Sequence, residues 1–171
     1  MNIRLYQLDN NIKHFLIAFL IALSTGVAVG LIYLNYTTNY SPEDAVTRFR
    51  GSEEVNSADE FDIPESYAKP VSEILMTTHN HIISFSFIFI LLGSIFYFNS
   101  IIKGFWKMFF MIEPMISTIV SFGSIWAMRF IHEDFVYLTV VSAILIYTSY
   151  FVMASVSLYE LIFKKETSSV T

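Results

Sequence analysis

The residues of this chain best equipped for chemistry are four histidines and one intramembrane carboxylate. His79 and His81 stand in "MTTHNHIISFSFIFILLGSIF", residues 76–96, where a polar stretch meets a long apolar one. His132 lies in "IHED", a short joint between two other apolar runs, next to Glu133 and Asp134. Imidazole ligates haem iron and also suits zinc and copper, and a carboxylate can complete a zinc shell. Two functional readings follow. In the first, His79 or His81 pairs with His132 to hold one haem b near the outer surface. Gly123, Ser124 and Ala127 would leave room for it, and Met128 is an alternative ligand. In the second, the same histidines with Glu133 or Asp134 form a zinc or copper site, or meet a quinone headgroup. The plainer account is that interfacial histidines are polar, partly solvated and hydrogen-bonded across a wet rim. On a continuous helix His79 and His81 diverge by about 200°. They can share one ion only where the backbone is extended.

His14 is alone on the inner side. A chain that carried electrons across the bilayer by itself would need a second bis-histidine site there. The expectation is therefore at most one haem, near the outside. Glu113 is the acidic residue set well inside an apolar run, and Pro114 follows it. A carboxylate at that depth is costly and is a functional suspect. It would sit about 8–10 Å from the inner end at 1.5 Å per residue. Proton relay is one role for it. The bland alternatives are snorkelling to the inner interface and pairing with Lys103 or Lys107. Pro114 removes a backbone bond and kinks the helix near it. Arg129 is comparably placed at the outer end, with Glu133 and Asp134 as ready partners. No phosphate loop, nucleotide fingerprint or nucleophile–base pair is present in the sequence, so an enzyme acting alone is not expected.

The elements that must position these residues are membrane helices. The 171 residues are 54% hydrophobic and only 15% charged, against about a quarter charged in a soluble domain. Lipid is the solvent such a composition needs. The net charge of −5 argues against a nucleic-acid partner. Cysteine is absent, which removes disulfides, thiolate zinc sites, c-type haem and iron–sulfur clusters. Four spans are predicted, at about 15–34, 81–99, 108–130 and 135–162. The first is longer than the apolar core of a signal peptide, and no small-x-small site follows it, so it is expected to remain as an anchor. The long fourth span is expected to tilt or to extend beyond the bilayer.

Arg4, Lys13, Lys103, Lys107, Lys164 and Lys165 fall on one side if the spans alternate. The positive-inside rule then puts both termini in the cytoplasm of a bacterial inner membrane. Residues 35–80 form an outer, periplasmic cap with nine Asp or Glu against three Lys or Arg. In "SPEDAVTRFRG", Ser41 is the N-cap, Pro42 the first helical residue, and Glu43 and Asp44 favour the positive end of the dipole. Gly51 can end that helix. Ala45, Val46 and Phe49 make an apolar stripe that must lie on something. "GSEEVNSADEFDIPES" reads as a polar loop, and Pro70 starts a helix that can run straight into the second span. In the first span Ala18, Ala22, Gly26 and Gly30 recur every four residues and line one face, where another backbone can approach closely.

The fold class expected is all-α: a single membrane domain over residues 1–171, an integral four-helix bundle with a small, partly helical acidic cap. The stretches "SPEDAVTRFRGSEE", "PESY" and "THNHIISFSFIFILLGSIF" resemble uncharacterised small four-span bacterial inner-membrane proteins. Those share an SPEE-like helix start in the outer segment and a T-H-x-H run leading into the second span. The resemblance covers roughly residues 40–100 and draws attention to His79 and His81 without assigning them a role. The functional expectation is a small accessory subunit of a larger membrane assembly engaged in electron transfer. Its partners would be the lipid bilayer, other membrane subunits and a basic periplasmic redox protein docking on the acidic cap. The alternatives are a one-haem b-type cytochrome that accepts electrons at the periplasmic face, and a metal-binding transporter or sensor that works through Glu113 and the outer histidines.

Overall fold

The structure, a computed structural model, describes residues 4–52 and 66–164. It is all-helical there, with no strand among the described residues. The polar-loop reading of "GSEEVNSADEFDIPES" falls largely on residues 53–65, outside the described residues.

A 3-10 turn at Leu5–Gln7 precedes α1, Asn10–Thr38. Asp9 starts α1 by accepting from the Asn11 amide at 2.9 Å. Asn39 and Tyr40 end it with consecutive left-handed residues, φ 47° and 55°. The reversal puts Ser41 at the N-cap of α2, Pro42–Arg50, where its hydroxyl accepts from the Asp44 amide. The apolar stripe of α2, Ala45, Val46 and Phe49, lies on a cluster formed by Ile74, Phe122, Ile125, Met128 and Val136. The short helix therefore covers one end of the bundle, and Arg50 fastens it there by donating to the Met128 carbonyl at 3.3 Å.

Gly51, at φ +86°, ends α2 where the chain runs against itself. A Cβ at this position would lie 2.7 Å from the Ala68 nitrogen. The Ser52 amide donates to the Ser66 carbonyl at 2.9 Å, and the Lys69 amide to the Phe49 carbonyl at 3.3 Å. The ends of the outer excursion are thus clamped together. Pro70 then caps α3, Val71–Tyr97, which enters the bundle without a break. Residues 98–104 lead to α4, Phe105–Phe130, and residues 131–134 turn into α5, Phe135–Phe163.

Four helices, α1, α3, α4 and α5, are long and apolar enough to cross a membrane. The burial pattern is that of lipid-solvated helices. α4 buries Ser117, Thr118, Ser121 and Ser124 while exposing Ile112, Ile116 and Ile119. In water this arrangement would be inside out. In lipid, small and polar residues face neighbouring helices and large aliphatics face the tails. α4 and α5 make the tightest pair, α3 packs across both, and α1 lies along α5. The core is formed by Leu20, Phe89, Leu92, Phe96, Ile146, Tyr150 and Met153, with Leu5 of the N-terminal turn plugging one end. α1 is held lightly: only 6% of its most apolar stretch is buried, against 44% for α4. A hydrogen bond between the Ser24 and Tyr150 hydroxyls, 3.0 Å, ties it to α5.

Candidate functional site

The polar groups of the bundle fall into three sets: a seam between α4 and α5, a buried knot at the end holding the N-terminal turn, and the histidines.

The seam centres on Glu113. Pro114 is accommodated one residue later inside α4, and the Thr118 hydroxyl donates to the Pro114 carbonyl at 2.7 Å. Glu113 Oε2 accepts from the Ser149 hydroxyl of α5 at 2.5 Å, and Oε1 accepts from Ser117 on its own helix. The carboxyl group therefore pairs with neither Lys103 nor Lys107; it bridges two spans through hydroxyls. Further along, Ser124 and Thr139 share a 2.7 Å hydrogen bond across the same pair of helices. Such interhelical bonds are worth about 0.6 kcal/mol each on average in lipid. They fix which faces of α4 and α5 meet.

The knot at the other end contains a residue that sequence reasoning missed. Glu160 of α5 is fully buried, with Oε2 accepting from the Ser100 amide at 2.7 Å. Glu160 Oε1, and the hydroxyl of Ser157 one turn before it, have no hydrogen-bond partner among the described residues. Asn99, also fully buried, folds the α3–α4 turn: its Oδ1 accepts from the Ile101 and Ile102 amides at 3.0 and 2.8 Å. The Asn99 carbonyl then accepts from Lys107 at 2.7 Å and Arg4 at 3.3 Å, and the Ser100 hydroxyl binds Lys164. Three of the basic residues that define one side of the sequence thus converge on one turn. The signal for Glu160 was its spacing. It falls three residues after Ser157 and eleven after Ser149, on the buried face of α5.

The histidines are spread apart. α3 is one helix through both His79 and His81, so the two point in different directions, and both are exposed. His81 packs its ring on Phe122 of α4, with centroids 5.2 Å apart. Its Nδ1 lies 2.8 Å from the Thr77 carbonyl. A carbonyl only accepts, so Nδ1 is the nitrogen that donates to it. His132 lies past the end of α4, where its Nδ1 is 3.2 Å from an Asp134 carboxylate oxygen on an open surface. Phe122 is eight residues before the α4 terminus, so His81 and His132 contact the bundle at depths about 12 Å apart. Among the described residues no three His, Asp or Glu side chains come together as a metal cluster. Arg129 pairs with neither Glu133 nor Asp134; its guanidinium lies over the Phe130 ring at 5.4 Å. His14 borders a groove at the opposite end of the bundle.

Outside the spans, Glu43 shows a clear electrostatic perturbation. The Ser41 hydroxyl donates to its carboxylate, and this, followed by its own backbone amide, holds Glu43 below the usual carboxylate range.

Gly26 and Gly30, with Ala18 and Ala22, form an exposed line on α1. A Cβ added at either glycine meets nothing within 4 Å. The close-approach ridge is therefore not used among the described residues.

No curated protein and no solved structure matches the chain. The family model described as a transmembrane helical domain, Aq_1264_TM, matches residues 39–168, which takes in α2 to α5 and leaves α1 outside. With well over half of its length matched and four helices fit to cross a bilayer, the chain belongs to the Aq_1264_TM transmembrane helical domain family and is a multi-pass membrane protein.

Proposed function

We propose that this protein is a non-catalytic accessory subunit of a larger bacterial inner-membrane complex, and that electron transfer is the business of that complex. The observation that carries the subunit reading is the state of α1. One face of it packs on the core through Leu16, Leu20, Leu23 and Val27, while its ridge of Ala18, Ala22, Gly26 and Gly30 is exposed, with open space before the glycines. Small residues spaced by four suit a neighbouring span, because they let two backbones come within van der Waals reach. The occupant proposed is a transmembrane helix of another subunit. The orientation with both termini in the cytoplasm is supported by the gathering of Arg4, Lys107 and Lys164 at one end. The electron-transfer assignment draws on the acidic outer segment, which complements a basic redox protein.

The test is purification of the tagged full chain from its native membrane in mild detergent. A fixed-stoichiometry complex with a redox-active subunit supports the reading, and Gly26→Leu with Gly30→Leu should release the chain from it. Because neither glycine touches the bundle, the released chain should keep its own stability. Recovery of the wild-type chain as a stable monomer overturns the proposal.

A transporter or sensor role is the second reading. The observation favouring it is Glu113, a carboxyl group placed within the first third of α4 and held by two hydroxyls. In that case Glu113→Gln abolishes the pH dependence of ion movement in proteoliposomes, while an accessory subunit shows no ion movement to abolish. The one-haem cytochrome reading would place the iron on His79 or His81 with His132. A reduced-minus-oxidised spectrum of the pure chain tests it directly.

A further inference from the structure

At the end of the bundle opposite α2, the turn Leu5–Gln7 folds back between the start of α1 and the finish of α5. A groove of about 480 Å³ opens there, bordered by Tyr6, Lys13, His14 and Lys164 on its polar side and by Ile17 and Leu161 on its apolar side. Lys13 Nζ donates to the Tyr6 carbonyl at 2.8 Å. Lys164 Nζ binds the Ser100 hydroxyl and stands 4.9 Å from the centre of the Tyr6 ring. Neither ammonium is in an ion pair among the described residues, where the one ion pair is His132–Asp134 at the other end. Among the described residues no carboxylate lines the groove. Glu160, four residues before Lys164, is turned inward onto the Ser100 amide and leaves the groove to the cations. The site therefore has two held positive charges at the mouth, neither in a direct ion pair among the described residues, and an aliphatic wall leading into the span. Lys13 is in the first turn of α1 and Lys164 directly follows α5, so both lie at headgroup depth.

We propose that this groove is a binding site for an anionic phospholipid. The phosphate sits between Lys13 and Lys164, beside Tyr6, and an acyl chain lies along Ile17 and Leu161. Basic pockets between spans near the membrane surface recognise anionic headgroups by charge. The apolar wall separates a lipid from a free phosphate: inorganic phosphate could use the two lysines but gains nothing from Ile17 and Leu161. The lipid also fills the wedge between the lightly held α1 and α5, coupling α1 to the bundle.

The experiment is native mass spectrometry of the full chain released from mixed micelles of phosphatidylglycerol and phosphatidylcholine, with thermal stability read in each lipid alone. The wild type should retain phosphatidylglycerol over phosphatidylcholine by roughly tenfold or more and melt higher in it. Lys13→Gln with Lys164→Gln should bring the preference close to one, while Lys69→Gln at the opposite end should leave it unchanged. Wild-type protein with no preference overturns the proposal. So does a double variant that keeps the preference, or displacement of the lipid by millimolar inorganic phosphate, which would mark a free-anion site. Should the double variant fail to fold, Lys13→Gln alone decides, because Lys13 contributes only one hydrogen bond to the fold and must still reduce the preference severalfold.

Discussion

Ser149 of α5 donates its hydroxyl to Glu113 of α4 at 2.5 Å, while Ser117 holds the other carboxyl oxygen. Two helices that present aliphatics to lipid are thus registered by a polar contact in the first third of α4, besides the Ser124–Thr139 bond. Ser149→Ala should cost about 0.5–1.5 kcal/mol, the range of a single interhelical bond in lipid. Glu113→Gln should cost less, since an amide can accept from one serine and donate to the other. Glu113→Ala should exceed both, because it strands two hydroxyls. Unfolding titrations in mixed micelles rank the three. A Glu113→Gln cost equal to that of Glu113→Ala would mean that the charge matters to the fold and the hydrogen-bond geometry does not.

Glu160 accepts from the Ser100 amide inside the knot that closes the α3–α4 turn. Truncation to alanine leaves that amide buried without a partner and should destabilise by about 1–3 kcal/mol. Glu160→Gln keeps an acceptor for the amide, so this change should cost less than the truncation. Amide exchange at Ser100 should accelerate in the alanine variant alone.

Much of the architecture was readable before any coordinates. The four apolar runs, the Ser41–Pro42–Glu43–Asp44 helix start and the α2 stripe are local signals, and each appears as a helix, a cap or a contact. What was not readable depends on distant pairings. Glu113 was a suspect from its depth, but Ser149 as its partner follows from the rotation of α5, which no short stretch encodes. Glu160 lies near the end of a long run, where a carboxylate normally reaches water, and it is buried only because residues 98–102 fold back over it. For the histidines, spacing predicted that His79 and His81 diverge on a continuous helix. It could not say that His81 would rest on Phe122 while His132 turns to Asp134.

Gly51 offers a test of the outer clamp. Alanine there meets both a left-handed φ of +86° and a backbone nitrogen 2.7 Å away. With ψ at 167° this is a conformation essentially reserved for glycine, costing about 1–3 kcal/mol for a residue with a Cβ, and the contact adds to it. Gly51→Ala should speed amide exchange at Ser52 and Lys69, whose hydrogen bonds close the clamp, while the spans remain protected. Unchanged exchange at both amides would show that the clamp tolerates a side chain.

Glu43 should give α2 a defined acid response. The Ser41 hydrogen bond, then its own backbone amide, lowers this carboxyl from the ordinary value of 4.5. The folded group is the stronger acid, so its stabilising contribution is complete above the unfolded value and is lost as pH falls through the depressed folded value. In Ser41→Ala the titration of Glu43 should move up toward 4.5, and the first turn of α2 should fray at a higher pH. A carboxyl NMR titration of the full chain in micelles reads both effects.

The unbroken run of α3 from Val71 to Tyr97 has a mechanical consequence. Its 27 residues measure about 40 Å at 1.5 Å per residue, well beyond a hydrocarbon thickness of about 30 Å. The continuous apolar run of α3 starts at Ile82, so the excess length falls on the polar start of the helix, where Ile74 packs under α2. With no joint at the waterline, torque applied to that stub turns Phe89, Leu92 and Phe96 against α5 as a single stiff shaft.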